Sequence, residues 1–252
     1  LTPNDLVDFG QSLFAVSIFS SNFLFWFESG YFDNASELKP LLHTWSLAVE
    51  EQYYILFPIF LTLTWRLGIK RILIILTFVF LVSLAVAQWG AYNSPSSAFF
   101  LLPTRGWELI MGVFIAFYLK YNNHLKSHSV NQALSLLGFG MIVYSIIVFD
   151  KKTPFPSFYA LIPTIGLCLV ILCAVPKTFI NKLLSLKFIV GMGMISYSAY
   201  LWHQPLLAFA RHRSLKEVSD LNLFFLCCAS IVLAWLSWKF VEAPFRIKTK
   251  VS

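Results

Sequence analysis

The segment His43-Thr44-Trp45-Ser46-Leu47-Ala48-Val49-Glu50-Glu51-Gln52-Tyr53-Tyr54 puts an imidazole and two carboxylates at the head of a stretch that runs apolar to Trp65. A histidine with a carboxylate is the equipment of general acid–base chemistry. His43, Ser46 and Glu50 are spaced i, i+3 and i+7, which lines one face of a helix extending that far. Thr44 or Ser46 can serve as the N-cap. Glu50 and Glu51 then fall near the positive end of the helix dipole, which lowers the cost of their charge. Neighbouring carboxylates disfavour double ionisation, so one of them holds a proton more readily. His43, Glu50 and Glu51 are therefore the acid–base candidates, with Trp45 and Ser46 as substrate contacts beside them. The bland alternative is an interfacial cap whose acids stay hydrated.

Three further stretches carry polar chemistry. In Pro103-Thr104-Arg105-Gly106-Trp107-Glu108, Arg105 and Glu108 are helix neighbours at i, i+3. An arginine among aromatics suits phosphate or carboxylate recognition, so Arg105, Trp107 and Glu108 are candidate substrate contacts. A bridge that only fixes helix packing is the equal alternative. Ser196-Tyr197-Ser198-Ala199-Tyr200-Leu201-Trp202-His203-Gln204-Pro205 sets polar and aromatic side chains in an apolar run. A membrane histidine is a functional candidate by default, and Pro205 can open a helix where a ligand enters. Tyr197, Trp202 and His203 are the candidates there. Gly191 and Gly193 lack the third glycine and the preceding strand of a dinucleotide fingerprint, and read as close helix packing. In Phe240-Val241-Glu242-Ala243-Pro244-Phe245-Arg246, the helix is expected to stop before Pro244, with Glu242 and Arg246 as interface anchors.

The elements that position these residues are membrane helices. The chain has 252 residues, 58% hydrophobic and 12% charged, with a mean hydropathy of +0.72. Soluble domains carry roughly 25% charged residues. The composition therefore predicts an all-α, polytopic transmembrane bundle embedded in a lipid bilayer, and no outer-membrane barrel pattern is present. The net charge of +7 reads as loop charge that sets orientation rather than as a nucleic-acid surface. Cys168, Cys173, Cys227 and Cys228 all lie in apolar segments without metal-ligand spacing, so neither a disulfide framework nor a metal site is expected. Seven to eight membrane segments are predicted: about Phe9–Phe27, Trp45–Trp65, Arg71–Tyr92, Trp107–Leu119, Gln132–Phe149, Phe158–Val175, Phe188–Ala210 and Leu223–Val241. Trp107–Leu119 is short unless it extends back toward Phe99. Basic residues alternate between connections: Arg66, Lys70 and Arg71; Lys120 and Lys126; Lys177, Lys182 and Lys187; then Arg246, Lys248 and Lys250. The positive-inside rule makes these cytoplasmic and puts His43 near the outer surface.

Taken together, HTWSLAVEEQYYILFP from His43, PTRGWELIMG from Pro103, SYSAYLWHQP from Ser196 and FVEAPFR from Phe240 resemble the acyltransferase-3 family. The resemblance implies a bacterial inner-membrane, multi-pass O-acyltransferase acting on cell-surface sugars such as O-antigen, lipopolysaccharide or peptidoglycan. It implies acyl-CoA, in particular acetyl-CoA, as co-substrate, with no bound cofactor, and a glycan acceptor on the outer side. Some relatives carry a fused extracytoplasmic esterase-like domain. The chain departs from the family in one respect. The family's N-terminal catalytic histidine and arginine-rich stretch have no counterpart here, and Leu1–Gly10 looks like sequence after the third span. The expectation is a single transmembrane acyltransferase domain over 1–252 that lacks its N-terminal part, with the principal base outside it and no activity by itself. That places Leu1 outside. His43 is outside too, so the segment Phe9–Phe27 must re-enter rather than cross.

The chemistry expected is acyl transfer from a thioester to a hydroxyl, which needs a base and help for the developing oxyanion. Buried Glu, Arg and His with broken helices also describe a secondary transporter or a flippase of a lipid-linked sugar. Against that rival, the two halves show no paired interrupted segments.

Overall fold

The computed structural model describes residues 3–29, 38–121, 127–150, 152–213 and 219–246. Among them there is helix and no strand. The expectations for Leu1, Lys126, Lys248 and Lys250 lie outside the described residues, as does that for the side chain of Arg246. The chain divides into two units, 1–48 with 187–252, and 49–186.

In the first unit, α1 (Pro3–Ser17) and α2 (Ser21–Ser29) form a folded-back pair. Phe19 turns the chain with a positive φ of 56°, a region that non-glycine residues visit rarely. The turn closes through the Ser20 amide on the Ala15 carbonyl at 2.8 Å. Both open ends meet at one cavity of about 100 Å³, lined by Asp5 and Asp8 of α1, Glu28 of α2, Lys39 and His212. Lys39 is ion-paired with Glu28. The segment expected to re-enter therefore does double back, with its two ends together. At about 1.5 Å per residue neither arm reaches across a hydrocarbon core of roughly 30 Å.

The rest of this unit is α10 (Lys187–Arg213), packed along α11 (Asp220–Ser237). Helix α10 runs through Pro205. The expected opening there is limited to the hydrogen bond that proline cannot donate to the carbonyl of Leu201. Likewise the helical path does not stop before Pro244. A π turn, Trp238–Glu242, leads into α12 (Ala243–Arg246), which puts Pro244 in a first turn, where proline is tolerated. The π turn sets Glu242 to accept from the Ser198 hydroxyl of α10. One helical turn on, Trp202 Nε1 donates to Ser237 Oγ at 2.9 Å.

Helix α3 (Thr44–Thr64) begins in the first unit and continues into the second. There it is followed by α4 (Ile69–Asn93), α5 (Pro95–Phe100), α6 (Leu102–Tyr121), α7 (His128–Val148), α8 (Leu161–Cys173) and α9 (Phe179–Leu184). One apolar cluster joins Tyr53 and Phe57 of α3 to Ile72 and Leu76 of α4 and Ile110 of α6. A second gathers Leu84, Ala87, Trp107 and Ala160. The fourth expected segment does extend back past Trp107, and α5 occupies part of the expected loop. The expected span Phe158–Val175 is shorter: a tight turn at Phe158–Ala160 precedes a helix of only 13 residues. Four helical stretches are long and apolar enough to cross a membrane, namely Ile69–Asn93, Pro95–Tyr121, His128–Val148 and Asp220–Phe245. This all-α membrane architecture matches the expectation. Helices α3 and α10 have the length, 21 and 27 residues, but their polar residues lower their apolarity.

Helices α7 and α8 approach most closely at Gly138 and Gly166. A Cβ on Gly138 would come within 2.6 Å of the Gly166 carbonyl oxygen. Gly138→Leu is expected to destabilise by about 1–3 kcal/mol through overpacking. Gly112→Ala, with open space around it, is expected to be neutral or stabilising, and thermal unfolding in detergent separates the two. For the folded-back pair, Asp5→Cys and Glu28→Cys are expected to react with an impermeant thiol reagent from the same side. Labelling from opposite sides would show that the segment crosses.

Candidate active site

In the first unit, the segment from Leu38 to His43 approaches α3 through turns, and its carbonyls receive donors from outside as well as from its own amides. Helix α10 supplies three. His212 Nε2 donates to Leu38 O at 2.9 Å, Gln204 Nε2 to Lys39 O at 3.3 Å, and the Tyr200 hydroxyl to His43 O. Ser21 of α2 adds a fourth, to Thr44 O at 3.0 Å. The hydroxyl of Thr44 bonds back to Leu41 O at 2.7 Å and so does not cap α3. Ser46 lies 2.6 Å from the Tyr200 hydroxyl and 3.4 Å from His43 O.

This pinned segment delivers His43 to a buried position, only 7% exposed. Neither ring nitrogen has a hydrogen-bond partner among the described residues. Aromatic edges surround it: Tyr200 at 5.1 Å and His203 at 5.3 Å between ring centres. Burial, and secondly the neighbouring His203, push the His43 imidazole down to about 4, so it is neutral near pH 7 with a free lone pair. His203 Nδ1 sits 2.6 Å from the Tyr200 carbonyl. A carbonyl only accepts, so Nδ1 carries the proton that faces it. The arrangement can accept a proton in a place largely closed to water.

Of the residues singled out in sequence, the structure brings His43, Ser46 and His203 together. Trp45 is half-buried beside them on α3. Tyr197 is 48% exposed, and the Trp202 indole is held by Ser237, so neither belongs to the imidazole cluster. Tyr200, Gln204 and His212 were missed. Gln204 stands one turn from Tyr200, and that i, i+4 spacing was the only available signal.

In the second unit, Glu50 and Glu51 are half-buried on α3, and neither joins an ion pair among the described residues. Ser83 of α4 donates to Pro103 O at 2.6 Å and accepts from the Trp107 amide at 3.0 Å, which fixes the first turn of α6. Thr104 secures the same turn through Ala98 O at 2.7 Å. Arg105 and Glu108 are paired at 3.1 Å, and the guanidinium lies 4.6 Å from the centre of the Phe155 ring. Pairing and a cation–π contact both offset the cost of a charge in an apolar helix. Glu108 Oε1 is buried without a hydrogen-bond partner. Trp107 is fully buried in the apolar cluster. Its ring packs there, and its indole nitrogen is buried without a hydrogen-bond partner among the described residues.

A family described as an acyltransferase domain matches residues 6–239, across both units. Peptidoglycan O-acetyltransferase OatA of Listeria monocytogenes is 27% identical over 264 residues, covering 97% of this chain and 41% of the relative. O-acetyltransferase OatA of Staphylococcus aureus is 26% identical over 257 residues, covering 98% and 43%. The chain thus spans about two-fifths of the length of these curated relatives. No solved structure matches.

The depressed pKa of His43 has a stability consequence. The unfolded chain takes up a proton near pH 6.5, whereas the folded chain resists it until about 4. Stability linked to His43 is therefore fully present above pH 6.5 and is lost as the pH falls toward 4. The unfolding temperature in detergent is expected to drop across that window more steeply for the natural chain than for His43→Asn. Parallel curves would place the imidazole in water.

Proposed function

Because the chain belongs to the acyltransferase-3 family, we propose that it forms part of a membrane O-acyltransferase that moves an acetyl group from acetyl-CoA to a hydroxyl of a cell-surface polysaccharide. In that reaction the acceptor oxygen forms an ester bond to the acetyl carbon. The thioester C–S bond breaks, and the hydroxyl proton ends on the departing coenzyme A thiol. The protein must hold that proton in between and steady the negative charge that develops on the carbonyl oxygen.

The observation that carries the reading is His43. Its imidazole is buried and neutral, and both nitrogens are without hydrogen-bond partners among the described residues. A buried polar group without a partner costs about 1–3 kcal/mol, a cost that a base awaiting substrate accounts for. In the proposal His43 takes part in relaying the acceptor proton beside the principal base expected outside 1–252, and His203 is the second imidazole of the cluster. In the second unit, Arg105 supplies the cation suited to an anionic group of the donor, braced by Glu108, and Glu50 and Glu51 are the carboxylates of that part. The bacterial plasma membrane is the proposed location, with the acceptor on the outer side. The names of the two relatives support the O-acetyl group and, for the Listeria protein, a cell-wall glycan.

The test is transfer of radiolabelled acetyl from acetyl-CoA in membranes holding the natural full-length protein. Label is expected in surface glycan. His43→Ala and Glu50→Gln, at matched expression, are expected to lower it about 100-fold or more, as loss of a general acid–base group does. Full labelling in both variants would remove these residues from the mechanism, and no label with the natural protein would overturn the acyltransferase reading.

A further inference from the structure

Tyr200 joins all the polar groups of the His43 cluster, and its proton inventory fixes their order. The phenol has one proton, and His43 O and Ser46 Oγ both lie within hydrogen-bond reach of its oxygen. The carbonyl can only accept, so the phenol donates there. The serine proton has two acceptors in reach, the phenol oxygen at 2.6 Å and the His43 carbonyl at 3.4 Å, and the shorter contact takes it. The chain of donation runs one way, from Ser46 to Tyr200 to the His43 carbonyl. With its proton committed, Tyr200 is unsuited to serve as the acid or the nucleophile.

The same residue acts on the second imidazole. Its backbone carbonyl takes the Nδ1 proton of His203, and its ring meets the His43 ring edge-on at 5.1 Å and lies 5.4 Å from the His203 ring. One side chain thus fixes the backbone beneath His43, while the carbonyl of the same residue fixes the tautomer of His203. We propose that Tyr200 is the positioning residue of this site, holding both imidazoles in register for proton transfer, with Ser46 acting through it. The proposal rests on the acyltransferase reading and adds to it which group sets the geometry.

The physical need is specific. His43 has no hydrogen bond of its own among the described residues, so only the backbone and the ring edges set its direction. A displacement of about 1 Å at a reacting group costs on the order of 100-fold in rate. Substrate binding that does not involve the imidazoles should be indifferent to it.

Steady-state acetyl transfer by the natural full-length protein tests this. Tyr200→Phe keeps the ring and removes the hydroxyl. It is expected to lower kcat by about 10- to 100-fold while the KM for acetyl-CoA stays within about two-fold, the pattern of an interaction used in the transition state alone. Ser46→Ala is expected to lower kcat less, and Ser46→Thr, which restores a hydroxyl, to recover it. Since Ser46 acts through Tyr200, the double variant should be no slower than Tyr200→Phe alone. Ser237→Ala removes a different hydrogen bond to α10, the one from Trp202, and should lower the unfolding temperature without changing kcat. If Tyr200→Phe fails to fold, as its unfolding profile will show, the Ser46 pair decides the matter. Natural kcat in Tyr200→Phe, an equal loss in Ser237→Ala, or no recovery in Ser46→Thr would overturn the positioning role and leave the acyltransferase reading standing. Absence of transfer by the natural protein would overturn both.

Discussion

Carbonyl groups that lie away from water need donors, and in the first unit α10 provides them to the one irregular segment that carries chemistry. A buried backbone acceptor left unpaired costs about as much as a lost hydrogen bond. The turns from Leu38 to His43 satisfy some of their carbonyls with their own amides, as Leu42 N does for Lys39 O and Thr44 N for Leu41 O, and the segment's carbonyls take further donors from side chains. His212, Gln204 and Tyr200 each reach one of them, and Ser21 reaches another from α2. Removing these donors would let the segment relax outward to water, and His43 would go with it. The position of the imidazole therefore depends on the satisfaction of carbonyls that take no part in the reaction.

The second unit solves a related problem with charge. Arg105 and Glu108 lie on a helix apolar enough to span a membrane, where an isolated ion is costly. Their pairing at 3.1 Å and the Phe155 ring beneath the guanidinium make the arrangement tolerable. Ser83 bonds both Pro103 O and the Trp107 amide, so the turn bearing the pair cannot drift along α4. A buried pair of this kind contributes little net stability.

Helices were legible in the sequence wherever an apolar run had the length to declare itself, as in α4 and α7. The first segment was expected to re-enter on an argument from sidedness, and α1 and α2 do fold back on each other. Its turn at Phe19 had no signature, since a phenylalanine at positive φ is held by context and not by preference. The two proline signals were misleading for one reason. Pro205 and Pro244 forbid a particular hydrogen bond rather than a helix, and the structure gives up that bond or widens the turn before it. The site was half legible. His43, Ser46 and His203 stood out as polar groups in apolar surroundings. Tyr200 did not, because a tyrosine in a membrane segment reads as filler, and what makes it central is a backbone carbonyl from 157 residues away. Trp107 was singled out as an aromatic next to an arginine, and its full burial in the core was not legible from that neighbour.

The three histidines of the first unit give the strongest internal comparison. His203 and His212 each bond a backbone carbonyl, on their own helix or on the pinned segment. The fold is thus able to satisfy an imidazole where one serves structure. His43 is the most enclosed of the three, and the protein gives neither of its nitrogens a partner among the described residues. Packing alone would be served as well by a phenylalanine at that position, without the desolvation cost of two polar atoms. The cost is borne at the one imidazole whose backbone is fixed by a hydroxyl, whose ring is boxed by two aromatic edges and whose charge is suppressed by burial. That combination is the physical ground on which the proposed role of His43 rests, and burial that holds the ring neutral also makes it a weaker base until substrate supplies a partner.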